Sequence, residues 1–144
     1  MCIRDSKEIK KLIDMDFIVI CCGGGGIPVV RKERRFSGVE AVIDKDLASS
    51  VLAREIKADI FIVASDVEGA AVDWGKPEQR ILRKVALSEI KEYVEAGHFP
   101  AGSMGPKVNA VIQFAESTGN RGIICNLDDI QKAVEGVAGT EICK

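Results

Sequence analysis

Apolar positions in this chain fall into short unbroken runs, separated by stretches in which they recur at helical spacing. Phe17-Ile18-Val19-Ile20-Cys21-Cys22, Ile60-Phe61-Ile62-Val63-Ala64 and Ile123-Ile124-Cys125 show no apolar–polar alternation. Each therefore predicts a strand covered on both faces, as in a parallel sheet. Val39 to Ile43 is another short apolar run, and Thr140-Glu141-Ile142 predicts a last strand. Ile9, Leu12 and Ile13 predict a short amphipathic helix over residues 8–14. Leu47, Val51, Leu52 and Ile56 predict a second, with Asp44 as its N-cap. Ser88 caps a predicted helix running towards Ala96 and stopped by Gly97. Pro106 suits the first turn of a helix reaching about Ser117, and a short helix starts at Asp128. The charged stretch over residues 31–35 reads as an exposed loop.

Buried strands alternating with helices predict an α/β domain, a three-layer α/β/α sandwich with a mostly parallel sheet. In such folds ligands sit beyond the carboxyl ends of the strands. Those ends carry Gly23, Gly24, Gly25 and Gly26 after the first run and residues 66–69 after the second, while residues 102–107 open a helix. The candidate site gathers on that edge. No internal repeat, low-complexity stretch or linker divides the chain.

Composition narrows the class. With 144 residues, a formal net charge of −2 and 47% hydrophobic residues, the chain matches one globular domain. Its basic residues are scattered and its aromatics few, which argues against a nucleic-acid reader. No apolar run approaches the roughly 20 residues that cross a bilayer, and residues 1–6 lack the apolar segment of a signal peptide. The five cysteines form no C-x-x-C pair and the single histidine, His98, is far from all of them. Free thiols in a reducing, cytoplasmic compartment follow, and no metal site is expected.

Three stretches carry candidate chemistry. Four consecutive glycines after a buried strand cost backbone entropy, and their bare N–H groups can cradle an anion. A flexible surface turn is the alternative, and neither the P-loop nor the dinucleotide fingerprint is present. Asp44-Lys45-Asp46 sets a lysine between two carboxylates where a strand gives way to a helix. The lysine can reach a transferring phosphoryl group while Asp46 holds lysines in place, or the three are an N-cap with solvated charges. Lys107 stands in the first turn of a helix, at the positive end of its dipole, where a cation is disfavoured; either an anion lies between it and the backbone amides or the side chain reaches into solvent. His98 reads as a structural hydrogen-bonder. Trp74 either stacks on an adenine or covers an edge of the core.

These pieces occur in one order: Cys22-Gly23-Gly24-Gly25-Gly26-Ile27-Pro28-Val29, Gly38-Val39-Glu40-Ala41-Val42-Ile43-Asp44-Lys45-Asp46, Trp74-Gly75-Lys76-Pro77-Glu78, and Gly97-His98-Phe99-Pro100-Ala101-Gly102-Ser103-Met104-Gly105-Pro106-Lys107. The set resembles carbamate kinase, of the amino-acid kinase superfamily, from about Glu8 to the end, and only its carboxy-terminal half. The resemblance implies ATP plus carbamate giving ADP plus carbamoyl phosphate, with Mg²⁺ held mainly by the nucleotide's phosphates. It implies Lys45 and Lys107 as charge-neutralising catalytic residues, oriented by Asp46. Gly23, Gly24, Gly25 and Gly26 would line the phosphate site, and Asp66, Gly69, Gly102, Ser103 and Met104 would border the nucleotide. Full-length members commonly form homodimers.

Two departures qualify it. After Asp66 the family usually reads Val-Asp-Gly-Val and then an aromatic, whereas this chain reads Val67-Glu68-Gly69-Ala70-Ala71, and Ala71 cannot stack on a base. Nothing here matches the family's amino-terminal half, and residues 1–6 read as an unrelated leader ahead of a truncated frame, with residues 7–144 as the nucleotide-binding half. Another kinase of the superfamily, a non-catalytic nucleotide-binding module and an oligomerisation domain are the competing readings.

Overall fold

The computed structural model describes residues 5–23 and 26–144. Helix α1 spans Ser6–Asp14, followed by a hairpin of β1 (Val29–Lys32) and β2 (Arg35–Gly38) and helix α2 (Lys45–Ile56). Strand β3 (Ile60–Ser65) precedes the short strands β4 (Ala71–Val72), β5 (Arg80–Ile81) and β6 (Lys84–Ala86). Helices α3 (Leu87–Glu95) and α4 (Met104–Thr118), strand β7 (Arg121–Asn126), helix α5 (Ile130–Val134) and strand β8 (Thr140–Cys143) complete the order.

The main sheet runs β3-β7-β8-β6. β3 pairs parallel to β7 and β6 parallel to β8, while β7 and β8 are antiparallel. Strand β3 is buried in alternation. Phe61 and Val63 join the large cluster under α2, α3 and α4, while Ile60 and Ile62 pack on the other face with Ile123, Cys125 and Ala133 of α5. Helices therefore lie on both faces, giving the expected three layers. The large core centres on Phe114, fully buried on α4 with its ring 5.4 Å from that of Phe61. Burying a side chain of that size contributes about 1.5–3 kcal/mol.

Helix α2 begins where its side-chain chemistry dictates: the Leu47 N–H donates to Asp44 Oδ1 at 2.9 Å. It ends at Lys57, whose left-handed backbone (φ 61°) turns the chain into β3. Facing it, α4 accepts the buried Ser50 hydroxyl, whose Oγ donates to the Ala110 carbonyl at 2.7 Å. That bond fixes the axial register of the two helices.

Two expectations are corrected. The run Phe17 to Cys22 is not a buried strand: Ile18 and Ile20 are 96% and 98% exposed, and among the described residues no strand pairs with it. Its composition suits a strand, but a strand exists only where a neighbour completes its ladder. Val42, in the next apolar run, is likewise exposed. The stretch over residues 31–35 is a hairpin rather than a loop, with Glu33 in the left-handed region (φ 54°) at its two-residue turn. Flanking Val29, Val30 and Phe36 have the β-branched and aromatic character that favours strands. The short strands β4, β5 and β6 were not anticipated, being too brief to show a period.

Thr140, fully buried, ties the central sheet to the loop that follows β3: the Ala70 N–H donates to its Oγ1 at 2.8 Å, and its hydroxyl donates to the Leu82 carbonyl. Thr140→Val keeps the shape and strands the Ala70 amide. The expected loss is about 1–3 kcal/mol, read as a lower urea midpoint with an unchanged m-value. An unchanged midpoint would show that water replaces the hydroxyl.

Candidate active site

Two helix N-termini meet at this site. Asp46 lies in the first turn of α2, where the helix dipole favours a carboxylate. Lys107 lies in the first turn of α4, where the dipole disfavours an ammonium. Its Nζ donates to Asp46 Oδ2 at 3.0 Å, with the two side chains 18% and 14% exposed. The anion that the position of Lys107 demanded is thus supplied first by Asp46. The start of α4 is held by its own loop: the Gly105 N–H donates to the Pro100 carbonyl at 2.9 Å. A Cβ on Gly105 would approach that carbonyl oxygen to 2.8 Å, so a larger residue would push the loop off the helix end.

A cavity of about 250 Å³ opens beyond the carboxyl end of β3. Ser65, Asp66 and Val67 form its wall on the β3 side, with Ala71 and Trp74 from the following segment. His98, Phe99, Pro100, Ser103, Met104 and Lys107 close it from the segment that leads into α4. The wall combines an apolar surface with one ammonium, one carboxylate and hydroxyls. Such a lining suits a ligand with a flat apolar part and an anionic part.

The cavity brings together Asp66, Ser103, Met104 and Lys107, with Asp46 joined through Lys107. Lys45 is exposed at the first position of α2, next to Asp46. Gly23 and Gly26 are exposed, and Gly24 and Gly25 lie outside the described residues. Gly69 is buried away from the cavity wall, and a Cβ there would come within 2.6 Å of Thr140 Oγ1. Its lack of a side chain serves the packing of Thr140. Gly102 is exposed and does not line the cavity.

Beyond the site residues expected from the sequence, Ser65, Ala71, Trp74, His98, Phe99 and Pro100 also line the cavity. The sequence singles out Ala71 and Trp74 as positions near an adenine and His98 as a structural hydrogen-bonder, whereas Ser65, Phe99 and Pro100 carry no individual signal. The loop bearing Trp74 is braced at its neighbour. Asp73 is left-handed (φ 52°), its N–H donates to His98 Nδ1 at 3.4 Å, and its carboxylate accepts from Lys76 Nζ at 3.0 Å. The Lys76 ammonium holds the Asp73 carboxyl below its ordinary value. His98 packs edge-on to Tyr93, ring centroids 5.5 Å apart.

Among the described residues no group of three or more His, Cys, Asp or Glu could hold a metal ion. Asp66, which accepts from Ser65 Oγ at 3.0 Å, is the carboxylate on the cavity wall. That donor set fits a cation carried in by phosphate oxygens and not one caged by protein. No helix among the described residues is long and apolar enough to cross a membrane.

Residues 3–126 match the model of the amino acid kinase family. The chain belongs to that family. It is 51% identical to the carbamate kinase of Thermococcus kodakarensis over 140 residues, which are 97% of this chain and 44% of that protein. The structure of Giardia lamblia carbamate kinase bound to AMP-PNP superimposes with a TM-score of 0.94 at 46% identity, covering 100% of this chain and 46% of that one. Uridylate kinase from Archaeoglobus fulgidus, 22% identical with a TM-score of 0.54 over 73% of this chain and 48% of that chain, shares the fold. The chain thus spans less than half the length of the carbamate kinases it matches.

The Asp46–Lys107 pair has a measurable energetic signature. Asp46→Ala leaves a mostly buried ammonium without its carboxylate, and the expected loss of stability is about 2 kcal/mol, below the 3–5 of a fully buried pair. Adding Lys107→Met to that variant should restore most of the loss in urea unfolding. A single variant as stable as the parent would mean that solvent already screens the pair.

Proposed function

We propose that residues 7–144 form the nucleotide-binding half of a carbamate kinase, which moves a phosphoryl group between ATP and carbamate. The supporting observation is the contact of Lys107, on the wall of the cavity beyond β3, with Asp46, both in the stretches whose sequence resembles carbamate kinase. In the reading we favour, a carbamate oxygen attacks the γ-phosphorus of ATP as the bond to the β,γ-bridging oxygen breaks, giving carbamoyl phosphate and ADP. Charge gathers on the oxygens of the migrating group, so positioning and neutralisation supply most of the rate enhancement. Lys107 and Lys45 are the neutralising ammonium groups, and Asp46 orients Lys107.

The N–H groups of Gly23, Gly24, Gly25 and Gly26 would cradle phosphate oxygens. Asp66, Ser103 and Met104 would border the nucleotide, with Gly69 and Gly102 shaping the segments that present them. Mg²⁺ would supply further charge neutralisation, carried mainly on the phosphates. We place the enzyme in the cytoplasm, as a homodimer in its full-length context.

The exposed apolar run containing Ile18 and Ile20 supports a context in which further strands cover it. So does the coverage, under half of each carbamate kinase matched. We therefore expect the 144-residue chain alone to form no measurable ATP from carbamoyl phosphate and ADP. A robust rate from the purified chain would overturn that expectation.

A chimera tests the assignment itself. Residues 8–144 of this chain replace the matching segment of the Thermococcus enzyme. Restored carbamoyl-phosphate-dependent ATP formation supports carbamate as acceptor, and activity only with another acceptor would move the assignment to a different kinase of the family. In an active chimera Lys107→Ala should lower kcat at least about tenfold, the scale of losing one partner of transition-state charge. Unchanged kinetics would remove Lys107 from the mechanism.

A further inference from the structure

Successive side chains of an extended strand point to opposite faces. Neighbouring cysteines in the strand expected over residues 17–22 would therefore hold their thiols apart. The structure brings them together. Cys22 takes a left-handed backbone (φ 59°), which breaks the alternation, and its thiol is in hydrogen-bond contact with that of Cys21. Cys21 is exposed, Cys22 is half-buried, and both are free thiols. The Ser49 hydroxyl, in the second turn of α2, is a further side-chain partner of Cys22. Ser49 is itself anchored, its Oγ donating to the Lys45 carbonyl at 2.8 Å. The pair of thiols thus rests against the start of α2.

The surroundings of the pair decide which chemistry suits it. Burial pushes the Cys22 thiol above its ordinary value, the neighbouring Cys21 adds to the rise, and Ser49 offsets part of it. A thiol held protonated is a slow nucleophile, which argues against a peroxide-sensing cysteine. It is no obstacle to a ligand that gives up its own oxygen to carry the thiol protons away as water. Trivalent arsenic is such a ligand, soft enough to prefer sulfur to oxygen. A structural zinc ion would need four donors, and among the described residues no group of three or more His, Cys, Asp or Glu could hold a metal ion. Two thiols without a third protein donor match an arsenic atom that already carries one carbon substituent.

We propose that Cys21 and Cys22 form a chelating site for monosubstituted trivalent arsenicals. In the reaction with R–As=O, two S–H bonds and the arsenic–oxygen bond break while two As–S bonds form. The oxygen leaves as water with both thiol protons, and arsenic stays trivalent, so no oxidant or reductant takes part. Once one sulfur is attached, the second closes within the same molecule, and that step makes the complex long-lived. Ser49 lies one helical turn beyond Lys45, so the site borders the Lys45–Asp46 motif. Binding needs no turnover, and the inference stands apart from the kinase reading.

The experiment incubates the purified, reduced 144-residue chain with equimolar phenylarsine oxide. It reads the intact mass under native conditions and the free thiols after unfolding. The expected product carries one phenylarsenic group and lacks two thiols. It survives an excess of the monothiol mercaptoethanol and is released by the dithiol dimercaptopropanol. Cys21→Ser and Cys22→Ser should each weaken retention about a hundredfold or more, the scale of losing an intramolecular second contact. Because Cys21 is exposed, Cys21→Ser keeps the test sound even if Cys22→Ser disturbs the fold. Cys2→Ser, Cys125→Ala and Cys143→Ser should retain the group as the parent does. Inorganic arsenite, which lacks the carbon substituent, should be lost in the monothiol wash.

Each contrary result counts against the site. Release of the phenylarsenic group from the parent by mercaptoethanol would show that the two thiols do not converge. Retention by Cys21→Ser equal to that of the parent, or loss from Cys2→Ser or Cys143→Ser, would place the arsenic on other cysteines. Arsenite held as firmly as the phenyl compound would reveal a third donor and overturn the two-thiol site.

Discussion

One ion pair joins the N-terminal ends of α2 and α4 beside the cavity. Lys107 stands at the end of α4 where an ammonium is least welcome, and Asp46 stands at the end of α2 where a carboxylate is most welcome. Their 3.0 Å contact converts two opposed electrostatic tendencies into one stable arrangement at the cavity wall. It also couples the cavity wall to the helix packing. Deeper in the same interface Ser50 reaches the Ala110 carbonyl, which helps set the register of the two helices. A shift of one residue along either helix would part the pair.

The charged residues at helix ends were more legible than the sheet edges, for physical reasons. Asp44, Asp46 and Lys107 betray themselves by position relative to helix ends, where capping and the dipole make strong demands on residue type. The continuous apolar runs at Ile60 and Ile123 were readable because a strand covered on both faces leaves no room for polar alternation. The same rule misjudged Phe17 to Cys22, since hydrophobicity reports a residue's preferred surroundings and not whether a pairing partner is at hand. The hairpin over residues 29–38 was hidden by its charged turn, which resembles a loop. The strands of two and three residues between Ala71 and Ala86 are too short to display a period.

Glycine shows how one residue type carries separate messages. The family motif places Gly69 beside the nucleotide, yet in the structure its bare Cα makes room for Thr140. Gly105 answers a different demand, the close approach of the Pro100 carbonyl to the helix start. From the sequence alone these positions look alike. Only the atoms facing each one separate packing from ligand contact.

Strand β8 carries a consequence for how this polypeptide is made. It lies between β7 and β6 in the sheet, although both precede it in the chain. On the ribosome, β6 must wait with an unsatisfied edge while α3, α4, β7 and α5 emerge, and nothing bridges it to β7 until Thr140 to Cys143 clear the exit tunnel. Closure of the sheet therefore follows the emergence of every other strand in it. A nascent chain stalled before that point would present two open halves of a sheet, a form suited to recognition by chaperones.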